Sequence, residues 1–121
     1  MNKGKPFEDL VFQFLTLKGC EVLARNYRSR YGEIDIVALC RNKLLIVEVK
    51  GSFKNENPAS RVDCTKVRRI YKTYLRFLSE FPKYRDFETF FLTASVKGEK
   101  INWSPVVLED CIETLQRLSG F

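Results

Sequence analysis

The sequence predicts an α/β domain, a central mixed β-sheet flanked by helices in the order αβββαββα. Three observations carry this prediction. Apolar residues recur at helical spacing after Pro6 and again after Ser60. Two β-rich apolar runs, GEIDIVALC and KLLIVEVK, flank the polar pair Arg41-Asn42. The chain has 121 residues, 45% of them hydrophobic, which suits a single domain over 1–121, since domains commonly run to about 100–150 residues.

The first helix is expected from Pro6 to Lys18, with Pro6 at a first helical position and Gly19 as the stop. Phe7, Leu10, Val11, Phe14 and Leu15 fall on one face. A strand follows over Cys20–Tyr27. Then comes a hairpin whose two arms are Gly32–Cys40 and Lys43–Lys50, with Asn42 tolerating the positive φ of a tight turn. Gly51–Ala59 (GSFKNENPA) is polar and reads as a surface loop. The second long helix spans Ser60–Phe81, its apolar side made of Val62, Val67, Ile70, Tyr71, Tyr74, Leu75 and Leu78, with Ser60 and Asp63 resembling a capping box. Glu88–Val96 is a strand, Lys97–Lys100 a turn, Ile101–Trp103 a short strand and Val107–Leu118 a closing helix.

Composition restricts the chemistry. There is no histidine, which excludes Ser-His and Cys-His catalysis, His metal sites and His general acid–base work. With 21 Lys+Arg against 15 Asp+Glu the net charge is +6, which suits a polyanionic partner, nucleic acid ahead of a membrane surface. Cys20, Cys40, Cys64 and Cys111 contain no C-x-x-C pair, so buried, reduced thiols are expected and a zinc ribbon is not. No signal-peptide core opens the sequence and no apolar run reaches about 18 residues. A soluble, cytoplasmic protein is therefore expected.

The hairpin concentrates the chemistry. A two-residue turn at Arg41-Asn42 pairs Cys40 with Lys43, and counting back sets Asp35 opposite Glu48 and Glu33 opposite Lys50. Alternation along a strand places these four groups on one face. Ile34, Ile36, Ala38, Val47 and Val49 form the opposite, apolar face, while Val37 and Ile46 lie beside the charges. Two opposed carboxylates repel unless a cation intervenes. A hard divalent ion such as Mg²⁺ suits them, because it needs only one or two carboxylates. The plainer alternative is a solvent-facing edge hairpin in which Lys50 pairs with Glu33 or Glu48. On the first helix Glu8 falls within the apolar arc, where a buried carboxylate needs a partner; alternatively it serves the helix dipole.

These residues resemble a known family. The matching pieces are Gly4-x-x-Phe7-Glu8-x-x-Val11-x-x-Phe14-Leu15, Lys18-Gly19-Cys20, Arg25-Asn26-Tyr27-Arg28, GEIDIVA at 32–38 and VEVK at 47–50. They resemble the YraN-like proteins, small bacterial proteins of restriction-endonuclease-like fold related to the archaeal Holliday junction resolvases. The resemblance covers about Gly4–Tyr74, includes Lys66, and thins beyond residue 80. It implies the D-(E/Q)-x-K nuclease pattern. Asp35 and Glu48 would bind Mg²⁺ or Mn²⁺ with the carbonyl of Val49, Lys50 would position the attacking water, and Glu8 would assist. Homodimerisation follows by the same resemblance, because the branch-cutting relatives are dimers.

Arg25, Arg28 and Arg30 with Tyr27 and Tyr31 surround the entrance to the Asp35 strand, and Lys66, Arg68, Arg69, Lys72 and Arg76 line the second helix. Both groups suit phosphate contacts that position a backbone without reading sequence, although solvated helix faces commonly carry such runs. Trp103 reads as core. The expectation is a metal-dependent endonuclease acting on branched or structured nucleic acid, DNA ahead of RNA, with no membrane partner. The alternatives are a catalytically silent binding module of the same fold and a structural adaptor.

Overall fold

The computed structural model describes residues 4–52, 64–106 and Cys111. The order is α1 (Lys5–Leu17), β1 (Glu21–Ser29), β2 (Gly32–Cys40), β3 (Lys43–Ser52), α2 (Cys64–Glu80), a three-residue 3-10 helix (Pro82–Tyr84), β4 (Glu88–Lys97) and β5 (Lys100–Pro105). The strands form one five-stranded sheet in the order β1-β2-β3-β4-β5. Its neighbours are antiparallel except β3 and β4, which run parallel. The α/β class and the mixed sheet are as expected. The closing helix, the Ser60–Asp63 cap and Val62 lie outside the described residues.

The helix α1 forms where predicted. Gly19, at φ +86°, ends it in a conformation that costs glycine little. Val11 and Leu15 bury against Ile36, Ala38, Val47, Ala94 and Val96 on one sheet face. The helix α2 covers the other face, where Phe77 packs with Ile34, Val37, Leu44 and Ile46. Phe77, 1% exposed, is the centre of that contact, whereas Leu75, assigned to the apolar side from sequence, is 41% exposed. The helix rests on the stripe Val67-Ile70-Tyr74-Phe77-Leu78, which turns Leu75 outward. Trp103 packs at the edge of the α1 core beside Phe14.

The hairpin forms in the predicted register, from Cys40↔Lys43 to Ile36↔Val47. Arg41 (φ 51°) and Asn42 (φ 65°) both adopt the left-handed conformation, as a two-residue turn matched to strand twist requires. The strand β3 runs further than expected. Gly51 and Ser52, read as loop from their polarity, pair with Val96 and Lys97 of β4; an adjacent parallel strand supplies backbone partners irrespective of composition.

The cysteines depart from expectation, because all four are paired. Cys20–Cys40 joins the ends of β1 and β2, with Cα atoms 4.5 Å apart, and Cys64–Cys111 ties the start of α2 to the chain beyond β5. Linear spacing does not reveal this. The antiparallel register that pairs Glu21 with Leu39 also sets Cys20 against Cys40, at the separation of a directly opposed pair. Among the described residues no helix is long and apolar enough to cross a membrane.

Candidate functional site

The β2–β3 ladder stops at Ile36↔Val47, and the acidic residues lie just beyond. Asp35 Oδ2 accepts a hydrogen bond from the Val49 backbone N–H at 2.7 Å. The carboxylate thus takes the place of a carbonyl partner where the strands part. Side-chain alternation also breaks here, since Ile36 joins the core under α1 whereas Ile34 joins the core under α2. The expected grouping of Ile34 with Ile36 is therefore corrected. Opposite this break in β1, Asn26 has φ 54°, a left-handed kink that asparagine accepts more readily than most residues.

Four acids surround the break. Glu8 reaches it from α1, 8% exposed, and accepts a hydrogen bond from Asn26 Nδ2 at 3.0 Å. Burial, followed by the charge of Glu33, raises its pKa. Asp35 is pushed up to about 6, first by burial and then by Glu8, Glu48 and Glu33, against the lowering effect of the Val49 hydrogen bond. Glu48 Oε1 is ion-paired with Lys66 Nζ of α2. Glu33 does not pair with Lys50. The ladder ends before those positions, and Glu33 instead meets Arg28, its direct partner across β1, at 3.5 Å. Lys50 stands two residues beyond Glu48 and, among the described residues, forms no ion pair. Its register partner on β4 is Ser95, 4% exposed, whose Oγ has no hydrogen-bond partner among the described residues.

The predicted basic residues separate into different surroundings. Arg25 is turned toward α1, 2.6 Å from Asp9 and stacked over Phe12. Arg28 meets Glu33, and Lys66, exposed on α2, reaches Glu48 of the acidic centre. Arg30 occupies the β1–β2 turn and Arg69 the exposed side of α2. Asn26 is a residue whose role sequence reasoning missed. Its signal was an asparagine within a β-rich run, a type depleted in strands.

A cavity opens between the sheet and α2. Glu33, Asp35 and Glu48 line it together with apolar residues that include Ile46, Ile70 and Phe91. Among the described residues no three His, Cys, Asp or Glu side chains are arranged as a metal cage. The donor set nevertheless fits Mg²⁺, which takes hard oxygen ligands and is held by one or two carboxylates with its remaining positions open. Asp35 and Glu48 would supply those oxygens. A cation would also offset the mutual repulsion that raises Asp35.

Residues 7–96 match the uncharacterised protein family UPF0102. Similar proteins bearing that family name include one from Sulfurihydrogenibium sp., 41% identical over 83% of this chain and 88% of the relative. Another, from Kosmotoga olearia, is 40% identical over 71% of this chain and 76% of the relative. A third, from Aquifex aeolicus, is 45% identical over 66% of this chain and 77% of its own length. The matched region contains the whole acidic centre, from Glu8 through Asp35 and Glu48 to Lys66, and the chain belongs to UPF0102, the YraN family.

Proposed function

We propose that the protein is a Mg²⁺- or Mn²⁺-dependent endonuclease of restriction-endonuclease-like fold, hydrolysing phosphodiesters in branched or structured nucleic acid. The observation that carries this reading is the convergence of Asp35 and Glu48, with Glu8 behind them, where β2 and β3 part. A buried Asp35 carboxyl, its pKa pushed up first by burial and then by neighbouring carboxylates that include Glu48, is costly in a purely structural hairpin. Asp35 and Glu48 would hold the divalent cation, which when bound would supply Lewis-acid activation of water and charge neutralisation at the scissile phosphate. The chain's own groups do the rest. The Val49 N–H fixes Asp35, Asn26 orients Glu8, and Lys50 is assigned to hold the attacking water and meet charge developing on the phosphate.

A second reading has one observation in its favour. Lys66 already pairs with Glu48, and an ammonium there neutralises a carboxylate without a metal, as in a binding module that has lost turnover. The two readings separate by incubating branched, single-stranded and duplex oligonucleotides with Mg²⁺ or Mn²⁺. Wild type is expected to cut, with Asp35→Ala and Lys50→Ala reduced by about 100-fold or more. If wild type never cuts while both variants bind as well or better, the binding module is the correct reading.

A further inference from the structure

The two-residue turn between β1 and β2 consists of Arg30 and Tyr31, with Ser29 paired to Gly32 across it. This turn is fastened to α2. Tyr31 N–H donates to Ser29 Oγ at 3.0 Å, Ser29 Oγ lies 2.8 Å from Thr73 Oγ1, and Thr73 donates to the Arg69 carbonyl at 2.9 Å. A side chain at Gly32 would stand 3.2 Å from Arg69 Cβ. Backbone and helix are therefore in contact, and the turn has little room to move.

Two cations lie over the Tyr31 ring. The Arg30 guanidinium carbon and Lys72 Nζ each lie 5.0 Å from its centroid, and Arg30 donates to the Tyr31 hydroxyl at 2.9 Å. Ring contacts of this kind hold cations in place without neutralising them. Among the described residues neither cation has a carboxylate partner, in contrast to Arg25, Arg28 and Lys66. Arg76 adds to the same positive field, which lowers the Tyr31 phenol after the larger effect of its bond to Arg30. Two like charges converging on one rigid ring repel each other, and an anion bridging them relieves that repulsion.

We infer that Arg30, Tyr31 and Lys72, with Arg69 and Arg76 beside them on α2, form a phosphate-binding cradle for the nucleic-acid backbone flanking the cleaved bond; this rests on the endonuclease reading. Tyr31, the turn residue before β2, is four residues before Asp35, about 13 Å at most along the chain. On one strand of a duplex that distance corresponds to roughly four phosphates. The cradle therefore holds the substrate beside the acidic centre and not within it. Backbone phosphates are its ligand, so its contribution is independent of base sequence and weakens with salt.

Binding and cutting are measured separately. Fluorescence anisotropy of a labelled duplex and a labelled four-way junction, in EDTA from 50 to 300 mM salt, reports affinity and its salt slope. The same substrates with Mg²⁺ report cleavage. The double variant Arg30→Gln/Lys72→Gln is expected to bind about 10-fold more weakly, with a salt slope shallower by about 1–2. Arg30→Lys/Lys72→Arg, which keeps both charges, is expected to retain most of that slope. Lys97→Gln/Lys100→Gln, with the same charge removed at the β4–β5 turn, is expected to match wild type. Thermal melts verify that each variant is folded. An unchanged slope in the Gln double variant of a wild type that cuts overturns the cradle and leaves the endonuclease reading standing. Equal losses in the β4–β5 control overturn it as well, since bulk charge then explains the binding. A wild type that neither binds nor cuts overturns both.

Discussion

The Asp35 carboxyl is pushed up to about 6 by burial and by the neighbouring charges of Glu8, Glu48 and Glu33. Its proton is therefore held more tightly in the folded than in the unfolded chain. The stabilisation is fully present below the ordinary value of 3.8 and is lost as pH rises through about 6. Between pH 4 and pH 7.5 the metal-free wild type should lose about 2–3 kcal/mol relative to Asp35→Asn, which stays neutral and keeps an acceptor for Val49. Urea unfolding of both proteins at the two pH values measures this difference. Mg²⁺ should restore stability to the wild type at pH 7.5 and much less at pH 5, because the cation requires the ionised carboxylate. Equal pH profiles for the two proteins would remove the electrostatic basis of the site. Spacing along the hairpin brought Asp35 and Glu48 together on paper. That Asp35 takes the Val49 N–H, and that Lys66 pairs with Glu48, depended on side-chain directions that no register count contains.

At the scale of elements, α1 carries Glu8 to the acidic centre only because the backbone of β3 lies directly beneath it. A Cβ at Gly51 would stand 2.1 Å from the Phe7 ring, at the first carbon of the ring as well as its edge. Glycine is needed there for close approach, not for a special φ. Gly51→Ala should therefore displace Phe7 and the start of α1, and overpacking of this kind commonly costs about 1–3 kcal/mol. Glu8 is the next residue, so nuclease activity should fall by more than the stability loss explains. Chemical denaturation and the cleavage assay, performed on the same preparation below its unfolding transition, distinguish the two effects. A variant that is destabilised yet fully active would show that Glu8 is dispensable. From sequence Gly51 opened a loop, because polarity and glycine signal a turn when the neighbouring strand is unknown. Pairing with Val96 of β4 makes it strand.

For the whole molecule the two disulfides act over long range, since one joins β1 to β2 and the other ties the start of α2 to Cys111. Cys20–Cys40 spans 20 residues and Cys64–Cys111 spans 47. Chain-entropy arguments assign loops of these lengths about 3 and 4 kcal/mol. The double variant Cys64→Ser/Cys111→Ser should lower stability by roughly 4 kcal/mol and Cys20→Ser/Cys40→Ser by roughly 3 kcal/mol under non-reducing conditions. Urea midpoints with and without a reductant test this, and a wild type insensitive to reductant would show that the bridges contribute nothing. The net charge of +6 is likewise a whole-molecule quantity. Its distribution is local, because Arg25, Arg28 and Lys66 each meet a carboxylate while Arg30 and Lys72 converge on one ring.

Sequence by itself determined the five strands, the two described α-helices and the face that α1 presents. Apolar spacing, Gly19 and the Arg41-Asn42 turn act through neighbouring residues, and the hairpin register follows from a turn of two residues. Only the tertiary structure decided which cysteines meet, that Phe77 rather than Leu75 fills the α2 contact, that alternation breaks at Asp35, and that Asn26 orients Glu8. The physical reason is range. Periodicity is written within a few residues of each position, whereas pairing and burial depend on groups tens of residues apart that meet only when the sheet twists and both helices close over it.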